Sequence, residues 1–296
     1  MAVFCIFKDM KNNFSKIIQG CMTWGKWGAN FDTKAMSQKI EQIVELGVTT
    51  FDHADIYGDY TTEEAFGKAF LQSHINREDI QLISKCGIQL HNENRKTYIK
   101  HYDYDASYII KQAEQSLLNL KTDYLDIFLL HRPSPLMHLY EVLEAITKLQ
   151  KDGKIKYFGV SNFTPKQIDF LDQSLDVSAN QIQCSLTHYQ PFEDDTLFYH
   201  QQHKMMTMAW SPLGDLFKID EYSALQQALE EISEKHNCTT TQIALVWLHQ
   251  HPANIYPVIG TTKTERVQDA VESLNINLDL QDWFELYGAS RGREVD

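Results

Sequence analysis

Four residues of different chemistry could act together if the fold brought them to one place: a carboxylate, Asp52, a phenol, Tyr57, an ammonium, Lys85, and an imidazole, His131. Lys85 ends an apolar run, so its charge needs a partner, and Asp52 is the natural one. A cation beside Tyr57 favours phenolate and would lower a pKa of about 10 in a free phenol. A phenol tuned in this way suits the protonation of a developing alkoxide, and His131 could donate a second hydrogen bond to the same oxygen. No nucleophile or metal-ligand set accompanies them, so an electron source is still needed. Hydride from a nicotinamide is the economical choice. Taken singly, each residue has a structural reading: Asp52 as a helix cap, Tyr57 as packing, Lys85 as an ion pair, His131 as a bonded strand-end histidine. Only their convergence on one rim outweighs those readings.

The elements that must bring them together are short apolar runs alternating with amphipathic ones. Residues 17–18, 48–51, 80–86, 124–130, 157–160, 179–184, 205–210 and 255–259 read as eight buried strands. Between them lie helical patterns with legible ends: Asp32 or Thr33 before residues ending at Leu46 and Gly47, the Ile109, Ala113, Leu117 and Leu120 stripe, Pro165 in a first turn, and residues 239–249 stopped by Pro252. Eight β/α units in roughly 250 residues predict an α/β chain with the closed (β/α)8, or TIM, barrel architecture, residues 1–296 forming a single domain with its active site at the strand C-terminal ends. Gly20 and Gly25 lack the spacing and the following helix of an open dinucleotide-binding sheet. Asp52, Lys85 and His131 then close three consecutive strands. The polar stretch 88–105 reads as a long irregular loop on the same face. Glu63 and Glu64 read as a solvated helix start.

The 296 residues carry a formal net charge of −13, with 43% apolar and 23% charged residues. Such acidity argues against nucleic acid and anionic membranes as partners. Five scattered cysteines form no disulfide pattern, and no metal site is expected; the cytoplasm is the default location. A small-molecule substrate and a monomeric chain complete the expectation.

The chain resembles the aldo-keto reductase superfamily from about Lys16 to Leu274. The segments that carry the resemblance are 51–58 (Phe-Asp-His-Ala-Asp-Ile-Tyr-Gly), 83–86 (Ile-Ser-Lys-Cys), 126–133 (Asp-Ile-Phe-Leu-Leu-His-Arg-Pro) and 152–162 (Asp-Gly-Lys-Ile-Lys-Tyr-Phe-Gly-Val-Ser-Asn), in that order. The resemblance implies Tyr57 as general acid, tuned by Lys85 and Asp52, with His131 orienting a carbonyl. It implies that Ser161, Asn162 and Gln181 hold a nicotinamide carboxamide, that Trp210 stacks on the ring, and that Ser211, Pro212, Leu213 and Gly214 cross the pyrophosphate. The segment 258–266 (Val-Ile-Gly-Thr-Thr-Lys-Thr-Glu-Arg) is similar to the family's adenosine end, where Thr261, Thr262, Lys263 and Arg266 would meet a ribose 2′-phosphate. NADP(H) is therefore the expected cofactor, with NAD(H) left open. Trp24, Trp27 and Tyr102 are the candidate substrate-pocket aromatics. The implied activity is reduction of an aldehyde or ketone; the competing implication is a cofactor-binding regulatory subunit with vestigial catalysis.

Overall fold

The computed structural model describes residues 14–92, 95, 97–217 and 223–295. Eight parallel strands close into a barrel: β1 (Ile18–Gly20), β2 (Thr50–Asp52), β3 (Gln81–Cys86), β4 (Leu125–Leu130), β5 (Ile155–Ser161), β6 (Val177–Gln183), β7 (Met206–Trp210) and β8 (Ile255–Ile259). Neighbours pair in sequence order and β8 closes on β1. The eight predicted runs each hold a strand, with ends shifted by a few residues. The expected irregular loop after β3 contains an antiparallel ribbon, Ile88–Gln89 against His101–Tyr102, which alternation of the sequence did not reveal.

Side-chain alternation sorts the strands into two faces. Ile83, Ile127, Leu129, Ala179, Met206, Met208 and Val258 form the barrel interior, whereas Phe51, Leu82, Cys86, Phe128, Leu130 and Val160 pack outward beneath the helices. Two residues beyond an inward side chain, the next one points inward again, at the mouth. That parity places Lys85 after Ile83, His131 after Leu129, Gln181 after Ala179 and Trp210 after Met208. The opposite end of the barrel is pinned by Asp126, whose carboxylate meets Arg77 at 2.8 Å, Lys156 at 2.9 Å and the Leu82 amide at 2.9 Å.

The helices start and stop where local chemistry requires. Asp32 caps α1 (Thr33–Glu45) by accepting from the Ala35 amide at 2.7 Å, and Gly47 leaves it at a left-handed φ of 84°. Capping boxes open the helices Pro165–Asp172 and Thr240–His249, at Thr164 and Thr239. Helix α2 (Thr62–Phe70) lies so close to α3 (Ala106–Leu120) that a Cβ on Gly67 would sit 2.1 Å from the Asn119 carbonyl oxygen. Alanine at a helical position normally gains about 1 kcal/mol over glycine. Here overlap with backbone outweighs that gain. Gly67→Ala is expected to lower stability by about 1–3 kcal/mol in urea unfolding; an unchanged or raised midpoint would show that the two helices can part freely.

Candidate active site

Lys85 is the centre of the mouth. Its side chain is fully buried, and its ammonium lies 2.7 and 2.8 Å from the two Asp52 carboxylate oxygens, 2.7 Å from the His53 carbonyl and 3.1 Å from the Tyr57 hydroxyl. Three donors thus meet three acceptor groups. Because the Tyr57 oxygen accepts from Lys85, its own proton is free to turn toward the cavity. Asp52 also accepts from the Gln181 side-chain amide at 2.9 Å, a link across the barrel between residues 129 positions apart. With its NH2 held by a carboxylate, Gln181 presents its carbonyl oxygen as an acceptor.

Electrostatics at this centre correct one expectation. The Tyr57 phenol is not lowered but pushed up to about 12: burial dominates, and the Lys85 charge offsets it only in part. Burial pulls the Lys85 ammonium down, yet Asp52 and Tyr57 together outweigh it, and its pKa is raised. Both groups therefore keep their protons at neutral pH. The His131 ring is held well below its ordinary value, by burial first and then by Lys85, Arg132 and Lys100. It is a neutral imidazole, with its ring 6.2 Å from that of Tyr57 and an Nδ1 that is shut from solvent and has no hydrogen-bond partner among the described residues. Behind the site, Glu63 is buried and accepts from Ser84 at 2.6 Å. The solvated reading holds only for Glu64, because α2 turns Glu63 in against β3.

A cavity of about 380 Å³ opens above Tyr57. Ser161, Asn162, Gln181, Trp210, Ser211 and Pro212 line it, as does His131. The Asn162 carboxamide bridges Trp210 and Ser161: its oxygen accepts from the indole N–H at 2.8 Å and its amide donates to Ser161 at 2.8 Å. Asn162 and Ser211 both take left-handed backbone conformations at strand ends, the kind of strain that clusters at functional sites. A second cavity of about 890 Å³ continues past Pro212 and Gly260, walls shared with the first. Leu213, Gly214, Thr261 and Arg266 line it. Gly214 is left-handed, and a Cβ there would fall 2.0 Å from the Thr187 hydroxyl. Thr262 and Lys263 line neither cavity; Lys263 is the N-cap residue of helix Thr264–Glu272.

The aromatic expectations divide. Trp27 lines the first cavity, its indole N–H donating to Asp59 at 3.2 Å, while Asp59 also pairs with Lys26. Trp24 does not: it is fully buried, packed on Phe31, Phe51 and Phe66. Tyr102 lies on the ribbon, beside a separate depression with Asp103 and His138. Although it pairs with Ile88, which lines the first cavity, Tyr102 itself does not line it. Sequence reasoning missed Ile56, Ile88, Lys100 and Arg132 as cavity residues. Arg132 stood in a quoted motif and Lys100 in the polar stretch 88–105, but neither spacing signalled its direction.

A closed parallel barrel with ionisable groups gathered at one rim defines the class of (β/α)8 proteins that work at the strand C-terminal ends. The profile of the Aldo/keto reductase family matches residues 16–290, and the chain belongs to that family. Oxidoreductase YdhF of Escherichia coli (strain K12) is 40% identical over 287 residues, covering 95% of this chain and 95% of that protein. The 6-dehydroglucose reductase of Agrobacterium fabrum (strain C58 / ATCC 33970) is 38% identical, covering 93% and 95%. Among solved structures, the aldo/keto reductase from Klebsiella pneumoniae in complex with NADP and acetate superposes with a TM-score of 0.77 at 26% identity, covering 92% of this chain and 90% of that one. The chain is an oxidoreductase of this family. No helix among the described residues is long and apolar enough to cross a membrane.

Removing the counter-ion tests the centre. Asp52→Asn leaves a buried ammonium half-paired and is expected to cost about 3–5 kcal/mol in denaturant unfolding. Adding Lys85→Met to it should recover most of that loss; two additive losses would mean that the charges are not coupled.

Proposed function

We propose that the protein reduces an aldehyde or ketone to an alcohol with NADP(H), Tyr57 giving the proton. The observation that carries this reading is the 3.1 Å contact from Lys85 to Tyr57 at the floor of a cavity that shares the walls Pro212 and Gly260 with a second, larger one. A bound nicotinamide supplies hydride to the carbonyl carbon. Tyr57 then transfers its proton to the carbonyl oxygen, and Lys85 holds the phenolate that remains until solvent reprotonates it. With a pKa near 12, the phenol keeps its proton at working pH and releases it only to a stronger base, which a nascent alkoxide is. His131, neutral, contributes orientation through one N–H rather than a second acid.

The residues present fit the cofactor. Gln181, Ser161 and Asn162 offer amide and hydroxyl groups for a carboxamide, and Trp210 offers an aromatic wall. The left-handed turn at Ser211 and Gly214 brings backbone close to the groove. Among the described arginines, Arg77 and Arg291 have carboxylate partners, and Arg95 stacks on Tyr60 and bonds Gln89. Arg266 lines the far cavity, its side chain making no hydrogen bond or ion pair among the described residues, and helix Thr264–Glu272 begins beside it. That combination favours the 2′-phosphorylated dinucleotide. Related proteins carry NADP or NADPH in solved complexes, and one is named for reducing 6-dehydroglucose, a small polar carbonyl compound of a size suited to the first cavity. The reading takes residues 1–296 as one domain acting as a cytoplasmic monomer, where buried thiols such as Cys21, Cys86 and Cys184 stay reduced.

Tyr57→Phe should retain NADPH binding, followed by fluorescence, and lose about 10²–10⁴-fold in kcat for an aldehyde such as 4-nitrobenzaldehyde. Wild-type turnover by the variant would remove Tyr57 from the role; wild-type protein that binds NADPH and reduces no carbonyl compound would favour a regulatory subunit. Arg266→Ala should weaken NADPH about 10–100-fold and NADH far less. An equal effect on both cofactors would cancel the 2′-phosphate assignment.

A further inference from the structure

The wall of the first cavity is unbalanced in a way that the reaction does not use. Arg132 and Lys100 both line it, and among the described residues neither side chain makes a hydrogen bond or an ion pair. Arg132 is half-buried and its backbone is pinned: its amide donates to the Tyr104 hydroxyl at 3.1 Å, and that hydroxyl donates to its carbonyl at 2.6 Å. Its guanidinium lies 5.5 Å from the centre of the Trp210 ring, a stacking contact that leaves the N–H edge unspent. Lys100 is exposed at the rim, just before the ribbon strand His101–Tyr102.

Acceptors on the same wall are already engaged, apart from the Gln181 carbonyl oxygen, which the carboxamide of the cofactor would take. Asp52 is taken by Lys85 and Gln181, the Asn162 oxygen by Trp210, and the Gly260 carbonyl by the Thr23 hydroxyl at 3.0 Å. A neutral polyol both donates and accepts, and would need acceptors here. An anion only accepts. The wall therefore offers unspent donors with full positive charge, in a chain whose formal net charge is −13. The charges reach the reacting end, since both contribute to keeping the His131 ring unprotonated.

We propose that Arg132 and Lys100 form an anion subsite, and that the carbonyl substrate carries a carboxylate or phosphate at the end remote from its reacting carbon. The proposal rests on the reductase reading for its substrate but not for its binding site. Arg132 grips the anionic group, with Lys100 closing over it from the rim. Both are specificity residues, and proton transfer stays with Tyr57.

Paired substrates test it. In one arm 4-oxobutanoate is compared with 4-oxobutanamide, in the other glyceraldehyde 3-phosphate with glyceraldehyde, all with NADPH. The anionic member is expected to have the higher kcat/KM by about tenfold or more in at least one arm, and the arm concerned separates carboxylate from phosphate. Arg132→Gln should collapse that ratio, Lys100→Gln should reduce it, and Arg132→Lys should restore part of it. The preference should also shrink between low and high salt. A ratio of one or less in both arms overturns the proposal, as does an equal loss for both members of a pair in Arg132→Gln. Calorimetry of 4-hydroxybutanoate against 1,4-butanediol, on protein saturated with NADP, reads the subsite without turnover. Tighter binding of the anion supports it even if no carbonyl is reduced, in which case the reductase reading alone fails. Equal binding, alongside turnover of neutral aldehydes, removes the subsite and leaves the reductase reading standing.

Discussion

A fully buried ammonium group sets the terms for the mouth of this barrel. Lys85 has no water to solvate it, so each of its donors must find an acceptor within the fold. Asp52, the His53 carbonyl and Tyr57 meet that demand, all from β2 and the turn that follows it. The requirement acts on register. A slip of β3 by one residue would turn Lys85 outward under α2 and bring Ser84 inward, breaking the Ser84–Glu63 bond on the other face as well. Both faces of one short strand are therefore held by polar groups that cannot be buried alone.

The same burial governs acidity. A lysine beside a tyrosine is commonly read as a device for lowering the phenol's pKa, but in this site desolvation is the larger effect and the phenol rises to about 12. Lys85 serves less to ionise Tyr57 at rest than to limit the cost of the phenolate once the proton has gone. It also fixes the direction of the hydroxyl, because an oxygen that accepts from an ammonium must point its own hydrogen elsewhere. His53, whose ring is buried without partners against Phe66, is pulled down to about 3 and adds no competing charge. The floor of the pocket is thus a set of buried dipoles around one paired cation.

Charge is distributed against the average of the molecule. Acidic residues dominate the chain, yet Arg132, Lys100 and Arg266 line two cavities that share a wall. Field lines in a cleft of this kind draw anions toward it although the surface as a whole repels them. The surface acidity that argues against nucleic acid is therefore compatible with a phosphorylated cofactor and a charged substrate.

Residue types and their order were enough to determine the eight strands, most helix ends and the four groups at the rim. Alternation with period two decides which side chains share a face, and parity carries Lys85, His131, Gln181 and Trp210 inward without knowledge of contacts. The Asp32 cap, Pro165 in a first turn and the left-handed Gly47 act within one turn of chain, so they too were legible. What the tertiary structure alone decided depends on contacts distant in sequence. Trp24 is core rather than pocket because Phe51 and Phe66 close over it, Tyr102 sits on an unforeseen ribbon beside a separate depression, and Glu63 is buried because α2 leans on β3. The balance between burial and charge at Tyr57, the Asp52–Gln181 bond across the barrel, and the unspent donors of Arg132 all arise on closure, when desolvation and distance first become defined.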